Sequence, residues 1–214
     1  MPYIQDDSRK TQLVYVHDPM CSWCWGFRPV LDELLGRLPP TISVTRLLGG
    51  LAPDSDQPMP AALQTQLQQT WRRIQQRIPG TRFNFDFWRT CQPRRSTWPA
   101  CRAVIAARSI DAHSEPAMIL AIQHAYYRDA RNPSDASTLV ALAGEVGLDE
   151  RRFATLLDAP QTHAMLNEEI TQSRALGVDS FPSLRLQTDT GRWPVPIDYR
   201  DSTPMLDTIG ALLG

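Results

Sequence analysis

Two cysteines stand two residues apart in the stretch HDPMCSWCWGF, as Cys21 and Cys24. A pair at this spacing can be one arm of a zinc site, a structural disulfide, or a dithiol that exchanges electrons with other thiols. Zinc asks for four ligands, commonly two such pairs or one pair joined by histidines at matching spacing. The remaining cysteines, Cys91 and Cys101, are ten positions apart and form no second pair, while His17 lies on the strand side of the motif. His113, His124 and His163 show no metal-ligand spacing. A Cys21–Cys24 bridge used only as a staple closes a tiny loop and constrains the unfolded chain little. The spacing therefore favours redox chemistry, with no metal.

Redox use makes demands on the elements around the pair. Residues 11–17 (TQLVYVH) are rich in β-formers and read as a strand, closed by the turn signal Asp18-Pro19. From Cys24 to Leu38 the apolar spacing is helical and stops at Pro39-Pro40, with Pro29 inside. A helix starting near Cys21 places that sulfur at the positive end of the helix dipole, which stabilises a thiolate and marks Cys21 as the nucleophile. Cys24 is then on the same face, placed to resolve a mixed disulfide on Cys21. Ser22 and Trp23 lie between them and tune the couple. Trp23 is expected on an exposed, peptide-contacting surface, and Trp25 and Phe27 in the core.

Residues 43–48 form a second strand, ended by Gly49-Gly50. About a hundred residues of helical periodicity follow. Leu63, Leu67, Trp71, Ile74 and Ile78 make one apolar stripe, and Ser96 or Thr97, Ser114, Ser134 and Asp149 are expected to start later helices as caps. After a helix ending near Leu176-Gly177, strand character returns around Leu184 and Leu186 and again in residues 193–197 (WPVPI). Pro194 and Pro196 make that last run an edge strand. A helix opening at Ser202 or Thr203 closes the chain. The order describes an α/β protein whose mixed sheet is interrupted by a large all-helical insertion.

Composition narrows the function further. The chain has 214 residues, net charge -1 and pI near 6.4, with 42% hydrophobic residues. Nothing in that balance suits nucleic acid or an anionic membrane surface, and no apolar stretch is long enough to span a bilayer. The first residues, MPYIQDDSRKTQ, lack the apolar core of a secretory signal, so a cytoplasmic location is expected. Lys10 is the one lysine beside 21 arginines. Schiff-base catalysis and Walker-type phosphate loops, which need a placed lysine, are therefore disfavoured.

The early DPMCSWCWGF and the late GVDSFPSL together resemble the DsbA-like thioredoxin-fold family, including its cytoplasmic protein-disulfide isomerases. The resemblance spans nearly the whole chain, since strand order and the place of the insertion match too. It implies a thioredoxin-fold domain made of residues 1–55 and 161–214, with 56–160 as the inserted helical domain. It also implies a cis peptide before Pro182, packed beside the cysteines, which turns the backbone of Phe181 outward to pair with an extended substrate. The expected activity is a thiol–disulfide oxidoreductase of reductase or isomerase type acting on protein or peptide disulfides. No cofactor beyond the redox-active disulfide is expected, with glutathione as a candidate co-substrate.

The chain departs from the family at one place. Thioredoxin-like proteins often bury an acidic residue six positions before the first cysteine, and here Tyr15 stands there. Asp18 and His17 are the nearest titratable groups that could accept the Cys24 proton. Two other readings use the same scaffold: a glutathione-dependent transferase or isomerase resembling the kappa class, which lacks a thiol pair, and a binding module without catalysis. Cys101, on an apolar helix face, reads as a buried inert thiol, and Cys91 as a loop thiol.

Overall fold

The computed structural model describes residues 11–214; Lys10 and the polar stretch before it lie outside the described residues. Strand β1 (Gln12–His17) runs through the middle of a four-stranded sheet. It pairs in parallel with β2 (Ser43–Leu48) and antiparallel with β3 (Ser183–Gln187), which pairs antiparallel with β4 (Arg192–Val195). Two parallel neighbours need a crossover, and helix α1 (Ser22–Arg37) supplies it, continuing through Pro29.

Alternation along β1 decides what each face buries. Leu13 and Tyr15 point toward Phe27, Val30, Leu31 and Leu34 of α1 and toward Met205 and Ile209 of the last helix, α9 (Thr203–Leu213). Val14 and Val16 point the other way, onto Leu47 and Val178. A central strand buried on both faces is the stiffest platform the fold offers, each fully buried Leu or Val being worth about 1.5–3 kcal/mol. The chain places Cys21 four residues beyond the end of that platform.

β4 is the edge strand, with Pro194 and Pro196 exposed and Val195 turned inward. It stops at Val195, two residues short of the run expected from WPVPI. Val195 pairs with Leu184, and β3 has one residue, Ser183, left before Pro182, so the ladder runs out of partner.

Between β2 and β3 lies the helical block: α2 (Ala61–Arg77), the short α3 (Phe87–Thr90), α4 (Trp98–Ile110), α5 (Glu115–Tyr127), α6 (Ala136–Glu145), α7 (Glu150–Leu157) and α8 (Pro160–Ala175). Its core gathers Trp71, Ile74, Phe87, Val104, Met118, Ile122, Tyr127 and Phe153. Helix α8 packs both on α4 and on β2, tying the block to the sheet. It ends before Gly177, whose φ of +67° is the left-handed conformation a glycine adopts without strain.

Helix starts differ from the capping expected of the sequence. Asp149 does cap α7, accepting from the Arg152 N–H at 2.7 Å. Thr97 and Ser114 sit at the cap positions of α4 and α5 without capping through their side chains, and Ser134 lies one residue before the α6 cap, Asp135. Their hydroxyls are used elsewhere. Ser114 donates to the Asp111 carbonyl and Ser134 to the Ser96 carbonyl. Thr97 donates to Asp18 beside the cysteines.

Candidate active site

The turn 18–21 sets the first cysteine. Asp18 accepts the Cys21 N–H through its carbonyl at 3.0 Å and the Met20 N–H through its carboxylate at 2.8 Å, so one residue shapes both ends of the turn. Cys21 occupies the cap position of α1, with φ -79° and ψ 116°, and its carbonyl receives the Trp25 N–H. Its sulfur points across to the loop before β3 and lies 3.4 Å from the Phe181 carbonyl oxygen. The Phe181–Pro182 bond is cis and Pro182 is buried. The Phe181 ring lies over Gly49, where any Cβ would overlap it. The glycine after β2 thus lets the loop before Pro182 close down toward Cys21.

Cys24 sits behind Cys21, only 1% exposed. Burial, the hydrogen bond with Cys21 and the charge of Cys21 hold its thiol well above the usual thiol range. Both cysteines are free thiols, so the structure is the dithiol form. The pair is asymmetric: Cys21 lines a cleft, and Cys24 does not reach it.

Tyr15, in the place of the family's acid, is buried and hydrogen-bonded to Cys24; burial, then Cys24 and Cys21, push its phenol well above the usual range. It is a neutral neighbour rather than a base. His17 stacks on it, ring centroids 4.8 Å apart and planes within 1°. His17 is 1% exposed and, among the described residues, neither ring nitrogen has a hydrogen-bond partner. Burial, reinforced by Arg46, Arg108 and Arg28, lowers its pKa to about 3, so it stays neutral and is a weak base.

Asp18 is fully buried, and burial raises its pKa despite four hydrogen bonds. Besides Met20 it accepts from the Leu51 N–H at 2.8 Å, the Thr97 hydroxyl at 2.6 Å and the Cys101 thiol at 3.5 Å. The carboxylate therefore ties the cysteine turn to the loop after β2 and to the start of α4. Replacing it by alanine strands three strong buried donors, each costing about 1–3 kcal/mol. Asp18→Ala is expected to lose at least about 3 kcal/mol in urea denaturation, and an effect below 1 kcal/mol would show that the network is dispensable.

The cleft beside Cys21 has a volume of about 310 Å³. Ser22, Trp23 and Phe181 line it together with Met20, Leu51 and Trp71, and α2 and the loop before α4 supply further wall. Trp23 is half-buried rather than exposed: it packs on Tyr199 at 5.2 Å, with Arg77 over its ring. Trp25 is half-buried too, stacked on Tyr127 and donating to the Arg82 carbonyl, whereas Phe27 is fully buried. Cys101 is fully buried, and Cys91, half-buried, donates to the Ala130 carbonyl at 3.0 Å. Among the described residues no cluster of three or more His, Cys, Asp and Glu side chains could hold a metal. None of their helices is long and apolar enough to cross a membrane.

Sequence reasoning missed Thr97 and the cleft arginines, Arg94 and Arg95. A trace of the arginines was readable. Cations are unfavourable at a helix amino terminus, and these two precede α4 by only a few residues.

The family model for the DSBA-like thioredoxin domain matches residues 12–193. The chain belongs to that family. It is an enzyme of the disulfide oxidoreductase class, on a DsbA-like thioredoxin fold. Among solved structures it is similar to a candidate protein disulfide isomerase from Nitrosomonas europaea, at 25% identity and TM-score 0.83, over 96% of this chain and 98% of that one. It is also similar to the cytosolic disulfide reductase DsbM from Pseudomonas aeruginosa, at 25% identity and TM-score 0.75, over 94% and 98%. The same reductase determined with GSH aligns over 95% of this chain and all of that one, at TM-score 0.73. No curated protein sequence matches.

Proposed function

We propose that the chain is a cytoplasmic thiol–disulfide reductase or isomerase that works through Cys21 and Cys24 on protein or peptide disulfides, with glutathione-type thiols as co-substrate. The observation that carries this reading is the asymmetric dithiol: one sulfur on a cleft beside the Phe181 carbonyl, the other buried behind it. The likeness to a cytosolic reductase, determined also with GSH, supports the compartment and the co-substrate.

The exchange runs in two steps. The Cys21 thiolate attacks one sulfur of the substrate disulfide, forming a Cys21 mixed disulfide and expelling the other sulfur as a thiolate, which takes up a proton. Cys24 then loses its proton, attacks the Cys21 sulfur and expels the second substrate thiolate. Two thiols have become the Cys21–Cys24 disulfide, and the substrate disulfide has become two thiols. Two equivalents of a small thiol return the pair to the dithiol. For an isomerase, the first mixed disulfide is instead attacked by another thiol of the substrate.

Cys24 needs a proton acceptor at the second step. Asp18 fits the role better than His17, because burial raises its carboxyl pKa and its charge opposes ionisation of Cys24. An ionised Cys24 and an ionised Asp18 disfavour each other, so the carboxylate becomes more basic as the sulfur loses its proton. Phe181 and Pro182 shape the substrate side, with the Phe181 backbone available to an extended peptide. Cys24 is the group that a kappa-like glutathione transferase would lack.

The test is the reduction of a peptide mixed disulfide with glutathione, read through NADPH consumption by glutathione reductase. Turnover well above the uncatalysed rate is expected, and a rate equal to the blank would remove the proposal.

A further inference from the structure

We propose that Arg95 selects the substrate by binding a carboxylate of the small thiol partner while the partner's sulfur lies at Cys21. The inference rests on the oxidoreductase reading above.

Arg95 shares the cleft with Cys21, half-buried among walls that include Met20, Leu51, Leu67 and Trp71. Its neighbour Arg94 is already engaged, donating through Nη2 to the Ser134 carbonyl and to the Asp135 carboxylate, each at 2.6 Å. Among the described residues the Arg95 guanidinium has no hydrogen-bond or ion-pair partner. Nor does its place serve α4, since a cation just ahead of a helix amino terminus is unfavourable. A partly desolvated guanidinium facing an apolar cleft is matched best by a carboxylate, which it can hold through two parallel hydrogen bonds.

A second charge completes the pattern. Asp179, two residues before Phe181, lines the same cleft and also lacks a side-chain partner among the described residues. One unpaired cation and one unpaired anion, from separate loops, are the complement of a zwitterion. The cleft volume of about 310 Å³ lies at the low end of small-molecule sites, roughly 300–1,000 Å³. A short peptide thiol with free carboxylate and amino groups fits that size and that charge pattern. An uncharged disulfide would satisfy the walls and leave both charges unpaired.

The experiment measures the rate constant for oxidation of the dithiol protein by three disulfides in single turnover: glutathione disulfide, its carboxyl methyl ester, and bis(2-hydroxyethyl) disulfide. The unmodified protein should prefer the free acid over the ester by about tenfold or more, as expected of a charge-assisted hydrogen bond. Arg95→Gln should erase that preference, and Arg95→Lys should retain part of it. Arg82→Gln, an arginine outside this cleft, should leave the preference as it is. N-acetylation of the peptide should slow the unmodified protein but not Asp179→Asn. An Arg95→Gln protein that still prefers the acid, or an unmodified protein that never did, would overturn the inference. Loss of the preference in Arg82→Gln would reduce it to a general charge effect and overturn it equally. Failure of all three disulfides to oxidise the protein would count against the oxidoreductase reading itself.

Discussion

Cys21→Ser should lower disulfide turnover by roughly three orders of magnitude or more, because a neutral hydroxyl without an activating base is a poor nucleophile. Cys24→Ser should fail differently. Its Cys21 still faces the cleft beside the Phe181 carbonyl and still attacks substrate. What it lacks is the second thiol, held behind Cys21 where intramolecular attack acts as an effective concentration of up to about 10⁵ M. No millimolar external thiol replaces that, so the Cys21 mixed disulfide should accumulate. Mass spectrometry of the protein quenched with acid during turnover reads the difference as one substrate adduct per chain in Cys24→Ser and none in Cys21→Ser. Equal adduct levels in the two variants would mean that the structure's asymmetry is not the enzyme's. Cys91→Ser, which lies away from the cleft among the residues around Ala130, should behave as the unmodified protein.

His17 should dominate the acid response of the fold. Its pKa is lowered from 6.5 to about 3, so the folded protein refuses a proton that the unfolded chain accepts. A depressed histidine therefore contributes stability that is complete above pH 6.5 and is lost as pH falls from there toward 3. At about 1.4 kcal/mol per pH unit the full loss is on the order of 5 kcal/mol. Asp18 acts with the opposite sign. Its raised pKa gives stability that is present below the ordinary carboxyl value and lost as pH rises through the folded value. Comparison of His17→Phe with the unmodified protein cancels the Asp18 contribution, since both carry it. The substitution keeps a ring on Tyr15 and removes two buried nitrogens without partners. His17→Phe should be the more stable protein at pH 5 in urea denaturation, with the gap widening toward pH 4. A gap independent of pH would show that His17 does not titrate between the two states as the burial requires.

The same two residues show how far a sequence reading reaches. His17 and Asp18 were visible as the titratable groups next to the pair, but sequence alone left them equal. Only burial separated them, by leaving the imidazole without a partner and giving the carboxylate four. Thr97 shows the converse. Its position before an apolar helix reads as a cap because capping is local, yet its hydroxyl is taken by a carboxylate 79 positions earlier. Arg95 is similar: a charge in a loop carries no meaning until the fold places it on the cleft that holds Cys21.

By itself, then, the sequence determined the spacing of Cys21 and Cys24, their place after a strand and at the head of a helix, the strands β1 and β2, the edge character that prolines impose on β4, and the late Phe181-Pro182. These are set by spacing, periodicity and backbone restriction, which act over a few residues and survive in the linear order. The tertiary structure alone decided that Cys21 faces a cleft while Cys24 is shielded, that Trp23 packs on Tyr199, that Asp18 joins the turn to the helical block, and that Arg95 lines the cleft of Cys21 with no side-chain partner among the described residues. Each of these depends on segments tens of residues apart sharing one desolvated space. Burial and long-range partners set charge and accessibility, and neither is a property of a short stretch of chain.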